Sequence, residues 1–231
     1  MNTAHGRKAL SVVMPVLDEA AGIRATLDAL RPLRARGVEV IVADGGSTDG
    51  TVAACAGRVE GVIVAPRGRA AQMNAGAAAA RGHVLLFVHA DTLLPADADE
   101  RVLDGLRASG RCWGRFDVHI DGESRLLAMV AWMMNRRSRW SGIATGDQAI
   151  FVTREAFDAV GGFPQQPLME DIELSARLRR RGRPLCLRDR VHTSGRRWER
   201  HGVWRTIALM WRLRLLYWLG VSPERLARAY R

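Results

Sequence analysis

Val40-Ile41-Val42-Ala43 runs straight into Asp44-Gly45-Gly46-Ser47-Thr48-Asp49-Gly50-Thr51, and Val84-Leu85-Leu86-Phe87-Val88 runs straight into His89-Ala90-Asp91. Each apolar run is too short for a helix, rich in β-branched residues, and reads as a buried strand. Each is followed at once by acidic and small polar residues. In open α/β sheets, ligands bind just past the carboxyl ends of the strands. Two such loops on one chain suggest a nucleotide site with a metal.

Outward from these two stretches the first half alternates strand and helix. Ala9–Val16, Val38–Ala43, Gly61–Ala65 and His83–Val88 read as strands. Glu19–Arg36, with Ile23, Leu27, Leu30 and Leu33 on one face, reads as a helix, as do Thr51–Gly57, Arg69–Arg81 and Pro95–Ser109. This alternation predicts an α/β fold with a mainly parallel central sheet and helices on both faces. The rhythm then changes into a mixed C-terminal part. Cys112–Ile120 reads as an antiparallel or edge strand, Arg125–Asn135 as an apolar helix, and Gln148–Thr153 as a strand with a helix after it. Glu170–Arg181 reads as a helix, Pro184–Leu187 as a short strand, and Val203–Leu219 and Pro223–Tyr230 as helices. No linker or repeat interrupts the chain, so residues 1–231 are expected to form one domain.

The net charge is +11 over 231 residues, and all of the excess is local. Residues 175–231 hold 16 arginines and 3 acids, whereas residues 1–174 are nearly balanced. Such a segment is either a solvated surface or a face turned toward phosphates. Cys55, Cys112 and Cys186 lie far apart, which excludes zinc ribbons and Cys-x-x-Cys redox motifs and fits a reducing cytoplasm. No signal peptide and no spanning helix are expected.

Two common phosphate motifs are absent. A P-loop needs Gly-Lys-Ser/Thr, and the chain's only lysine is Lys8. No Gly-x-Gly-x-x-Gly follows a strand. Bound phosphates would then need a divalent cation on a carboxylate. Asp91, fixed at a strand end, is the candidate; the alternative is a cap for the helix near Pro95. Asp44 either accepts hydrogen bonds from a nucleoside or simply closes the Gly45-Gly46 turn. Asp49 reads as a helix cap. Glu170-Asp171 either carries chemistry or complements a helix dipole. His192 either completes a metal site or is structural, and standing alone it reads as structural.

Taken together, these stretches resemble family 2 glycosyltransferases of the GT-A, nucleotide-diphospho-sugar transferase fold. Pro15-Val16-Leu17-Asp18-Glu19 resembles the family's Pro-x-x-Asn-Glu opening, with Asp18 in place of Asn. Asp44–Thr51 resembles its Asp-Asp-Gly-Ser-x-Asp-Gly-Thr loop, and Arg69–Gly76 its Ala-Arg-Asn-x-Gly stretch. His89-Ala90-Asp91 stands where Asp-x-Asp stands. Gly161-Gly162-Phe163 and Glu170-Asp171 resemble its later signatures. Gly146–Phe151, Leu168–Asp171 and Ser194–Trp198 are further similar to small transferases encoded beside radical-SAM enzymes and linked to arsenosugar biosynthesis.

The resemblance implies an inverting, metal-dependent transferase acting on a UDP- or GDP-type donor. Pro15, Glu19 and Asp44 would line the nucleoside pocket, in a donor-binding set that extends over Val16, Asp18, Gly46, Ser47, Arg69, Asn74, His89 and Ala90. Asp91 would hold Mn2+ or Mg2+; His89, which departs from the pattern, tilts the choice toward Mn2+. Asp171 would be the general base. Asp147, Gln148, Glu170, Arg196, Arg197 and Trp198 would face the acceptor or the diphosphate. Residues 1–110 would then be the nucleotide-sugar half, 111–200 the acceptor half and 201–231 C-terminal helices. The acceptor is left open. No nucleic-acid partner is expected. A cytoplasmic location is expected, with peripheral contact at the inner face of a membrane through the basic, tryptophan-rich Val203–Leu219 as an alternative to its packing on the core. Competing readings are a nucleotidyltransferase, a polyprenyl-phosphate transferase at a membrane surface, and a non-enzymatic binder of anionic surfaces.

Overall fold

The computed structural model describes residues 8–230, apart from the side chains of Arg197 and His201. The strands are β1 (Leu10–Val16), β2 (Glu39–Asp44), β3 (Gly61–Val64), β4 (Val84–Phe87), β5 (Thr92–Leu93), β6 (Trp113–Asp121), β7 (Phe151–Thr153) and β8 (Leu185–Ser194). They form one sheet in the order β3-β2-β1-β4-β7-β6-β8-β5. The first four are mutually parallel; β7 runs antiparallel to both β4 and β6, β8 parallel to β6, and β5 antiparallel to β8. Strand order reverses between β1 and β4, so their carboxyl ends flank a crevice.

Helices cover both faces, and the period-two alternation of the strands shows why. Val12, Met14 and Val16 of β1 with Val40 and Val42 of β2 point into one core layer. There they meet Ile23 and Leu27 of α1 (Ile23–Ala29), Leu33 of α2 (Arg31–Ala35), Ala54 and Cys55 of α3 (Thr51–Cys55) and Val102 of α5 (Ala98–Ser109). Val13, Ile41, Leu85 and Phe87 point the other way, onto α4 (Arg69–Ala79), α7 (Arg154–Ala159) and α8 (Glu170–Arg181). Helix α6 (Leu126–Ser141) covers β6, and α9 (Arg196–His201), α10 (Val203–Trp218) and α11 (Pro223–Tyr230) follow.

Several boundaries differ from the sequence reading. The expected helix over 19–36 is two short helices, because the chain breaks at Leu30 ahead of Arg31-Pro32. The strand over 112–120, expected to be antiparallel or an edge, is interior, antiparallel to β7 and parallel to β8. Only Phe151–Thr153 of the expected strand over 148–153 is extended; Gly146–Gln148 is a 3-10 turn. The expected short strand over 184–187 is ten residues long, since β6 carries it on through a register shift at Phe116/Asp117. Strand β5 and helix α9 are additions.

Candidate functional site

The loops after β1 and β2 are sewn to each other. Ser47 Oγ accepts from the Asp18 backbone N–H at 2.9 Å, and Asp18 Oδ1 accepts from the Thr48 N–H at 2.8 Å. The Glu19 N–H donates to Thr51 Oγ1 and the Ala20 N–H to Asp49 Oδ2. Asp44 is buried and accepts from the Gly46 and Ser47 N–H groups and from Ser47 Oγ. Its carboxylate therefore holds its own loop in shape. Asp49 caps α3 from one residue before Gly50, as expected: its Oδ1 accepts from the Thr51 N–H at 3.0 Å and from Thr51 Oγ1, and its Oδ2 from the Ala20 N–H.

This sewn pair of loops carries Glu19 to the mouth of the crevice, where Arg196 bridges two acids. Its guanidinium lies 3.9 Å from Glu19 Oε2 and 3.8 Å from Asp91 Oδ2. Burial and then the neighbouring charge of Asp91 raise the Glu19 carboxyl above its usual range. Two half-exposed carboxylates that share one guanidinium offer oxygen donors of the kind a hard divalent cation takes.

Deeper in, His89, Gly146, Glu170 and Asp171 line one cavity with Met73, Phe87, Ile150 and Phe163. Asp171 accepts from the Gly146 N–H at 2.8 Å and from the Ile172 N–H at 2.7 Å. Met169, just before α8, holds a left-handed φ of 65° that turns the chain so that the helix opens with Glu170 and Asp171. His89 Nδ1 is 3.4 Å from Asp147 Oδ1. A Cβ on Gly146 would come 2.5 Å from the His89 ring, so only glycine lets that ring approach the backbone that holds Asp171. Burial, above all, raises both Glu170 and Asp171; each also feels a carboxylate neighbour. Exposed Arg69 lies 3.9 Å from Glu170.

Other expected contacts have different partners. Asn74 exchanges two hydrogen bonds with the Phe163 backbone, at 2.8 and 2.9 Å, and Gly162 leaves room for its amide oxygen. Its amide joins α4 to the Gly161-Gly162-Phe163 turn. Gln148 is fully buried, between Asn135 and the Thr145 N–H. Trp198 is partly buried and packs against the core. Pro15, Val16 and Ala90 are buried, with the Ala90 carbonyl taken by Thr26. The side chain of Arg197 lies outside the described residues.

Two residues escaped the sequence reading. Gln72 is buried and donates to the carbonyls of Val16 and Ala43, tying the ends of β1 and β2 together behind the crevice. Arg137 of α6 has Nε and Nη2 buried without hydrogen-bond partners. Burial lowers its guanidinium to about 10, so it stays charged at neutral pH, and Asp171 is the anion that acts on it. Its helical phase was the available signal: it falls seven residues after buried Val130.

The model of glycosyl transferase family 2 matches residues 11–163. Succinoglycan biosynthesis protein ExoA of Rhizobium meliloti (strain 1021) is 30% identical over 200 residues, covering 78% of this chain and 61% of that protein. S. aureus TarS 1–349 solved with UDP superposes at a TM-score of 0.66 with 16% identity, over 80% of this chain and 60% of that one. Glucosyl-3-phosphoglycerate synthase from Mycobacterium tuberculosis, solved with Mn2+, UDP and glucosyl-3-phosphoglycerate, gives 0.59 and 20%, over 80% and 71%. Mannosyltransferase PcManGT from Pyrobaculum calidifontis, solved with GDP-Man and Mn2+, gives 0.59 and 20%, over 81% and 57%. The fold is that of the GT-A glycosyltransferases. The chain spans about three fifths of ExoA and of the TarS fragment.

Proposed function

Because the chain belongs to glycosyl transferase family 2, we propose that it moves a hexosyl or pentosyl group from a UDP- or GDP-type donor to a small acceptor, with inversion at the anomeric carbon. The observation that carries this reading is Asp171, a carboxylate fixed by two backbone N–H groups in the wall of a cavity next to the crevice. The acceptor oxygen attacks the anomeric carbon and its proton passes to Asp171. The bond from that carbon to the diphosphate breaks, and the electron pair leaves with the nucleoside diphosphate. A single base on the side opposite the leaving group gives inversion.

Asp91, with Glu19 beside it, would hold Mn2+ or Mg2+, which supplies charge stabilisation for the departing diphosphate. The oxygen donors of the two acids fit such an ion. Arg196 adds a fixed positive charge at the same place. The solved relatives with UDP, GDP-Man and Mn2+ support the donor class and the cation. The likeness of Gly146–Phe151, Leu168–Asp171 and Ser194–Trp198 to the arsenosugar-linked transferases supports a small-molecule acceptor. One continuous unit over residues 1–231 is part of the same proposal, supported by the single sheet that draws on both halves.

The test is nucleoside diphosphate release from a panel of nucleotide sugars with Mn2+. Asp91→Ala removes metal-dependent nucleotide binding. The reading is falsified if no nucleoside diphosphate, with any divalent cation, raises the melting temperature.

A second reading, transfer at a membrane surface to a polyprenyl-phosphate acceptor, is favoured by one observation. Trp204, Trp211 and Trp218 of α10 are 65–81% exposed. No described helix is long and apolar enough to cross a membrane. Vesicle binding separates the two readings.

A further inference from the structure

Strands β6 and β8 run parallel with His119 in register with His192. Their imidazoles stand side by side, ring centres 4.8 Å apart. Asp121 follows two residues after His119 and so points to the same face. Its Oδ1 lies 3.0 Å from His192 Nδ1 and 3.5 Å from His119 Nε2. One ligand atom from each residue falls within 4.8 Å of the other two, and no other set of this kind occurs among the described residues.

We propose that His119, Asp121 and His192 form a binding site for a borderline-soft divalent cation of the Zn2+ class, separate from the Asp91 pair. Around one tetrahedral ion of this class, with bonds of about 2.1 Å, ligand atoms lie about 3.4 Å apart. The two separations from Asp121, 3.0 and 3.5 Å, are already near that spacing, and rotation of the two imidazoles closes the wider one. Two imidazoles and one carboxylate favour Zn2+, Co2+, Ni2+ or Cu2+ over Mg2+. Asp91 and Glu19 offer oxygen alone and favour the harder ions. The exposure of Asp121 and His192 leaves water to complete the shell.

The site also touches the crevice through the backbone. The Gly195 N–H donates to the Asp121 carbonyl at 2.7 Å, and Arg196 is the next residue. A cation on Asp121 and His192 therefore braces the strand end from which Arg196 reaches Glu19 and Asp91.

Calorimetric titration of Zn2+ into the full chain, with Mg2+ in excess to fill the oxygen site, tests this without donor or acceptor. The wild type takes up one Zn2+ and melts higher with it. His119→Ala with His192→Ala weakens that uptake at least about tenfold and removes the rise in melting temperature. Asp91→Ala leaves both intact. His192→Asn, milder in shape, repeats the loss should the double variant not fold. Equal Zn2+ affinity in wild type and variants, or no Zn2+ uptake by the wild type, overturns the site.

Discussion

At Asp171 burial and hydrogen bonding act in opposite directions. Burial raises the carboxyl, and the Gly146 and Ile172 N–H groups lower it; the net shift is upward, and Glu170 shifts the same way. The charge of neighbouring Asp171 raises Glu170 further. A raised folded value means the native state binds more protons than the unfolded chain. Stability therefore falls as pH rises from the ordinary carboxylate range through the raised folded values, and levels off above them. Activity has the opposite sign, because the base must be ionised. The acid limb of kcat accordingly lies above the ordinary Asp range. Asp147 is one of the charges raising Asp171, so Asp147→Asn moves that limb to lower pH; an unmoved pH–rate profile argues against the coupling. Asp171→Asn lowers kcat by about 10²–10⁴-fold while nucleotide binding, read by calorimetry, persists. Gly146→Ala drives a methyl into the His89 ring and costs about 1–3 kcal/mol of overpacking. Urea melts measure that cost, and kcat falls as the loop holding Asp171 shifts.

At the scale of elements, the parallel core was legible because its strands are continuous apolar runs. β1, β2 and β4 lie within a residue of the stretches read as Ala9–Val16, Val38–Ala43 and His83–Val88. β8 was truncated because Arg188-Asp189-Arg190 interrupts the apolar pattern; these residues sit on a strand with an outward, solvated face, which composition alone does not reveal. Of the site, the sequence exposed the carboxylates that follow strands or open α8. It did not reveal which side chains hold backbone: Asn74 and Gln148 looked like ligand groups, and Gln72 looked like nothing. Only tertiary contact separates an amide that faces a cavity from one that faces a carbonyl. Asn74→Ala makes the difference measurable. It strands the buried Phe163 N–H and carbonyl, at about 1–3 kcal/mol for each group left unpaired. Denaturant melts record that loss, whereas donor affinity of the folded variant stays at the wild-type value; a selective loss of donor affinity returns Asn74 to the donor site.

On the scale of the whole molecule, α10 has two unlike faces. Leu213 packs with Leu226 of α11 against Leu168 and Met169, and Tyr217 reaches Gln166 and Glu173. That face clamps the segment leading into Glu170 and Asp171. The other face shows Trp204, Trp211, Leu215, Trp218 and Leu219 to solvent. Tryptophans at seven-residue spacing lie along one side of a helix, and such a stripe is unusual on a surface that meets only water. The same quarter of the chain carries 16 arginines against 3 acids. Two copies docked through this stripe would bring like charge against like charge, whereas an anionic bilayer matches both the aromatic stripe and the arginines. Vesicles rich in anionic lipid should therefore co-sediment the protein, and neutral vesicles should not. Raising salt from 0.1 to 1 M contracts the Debye length from about 10 to about 3 Å and weakens the arginine contribution. The triple change of Trp204, Trp211 and Trp218 to Ser should abolish sedimentation at any salt. Its stability should change little, since exposed positions typically contribute within about 0.5 kcal/mol each. Binding that survives the triple change would assign the attraction to charge alone. Absence of binding by the wild type would leave a water-borne acceptor as the reading of the site.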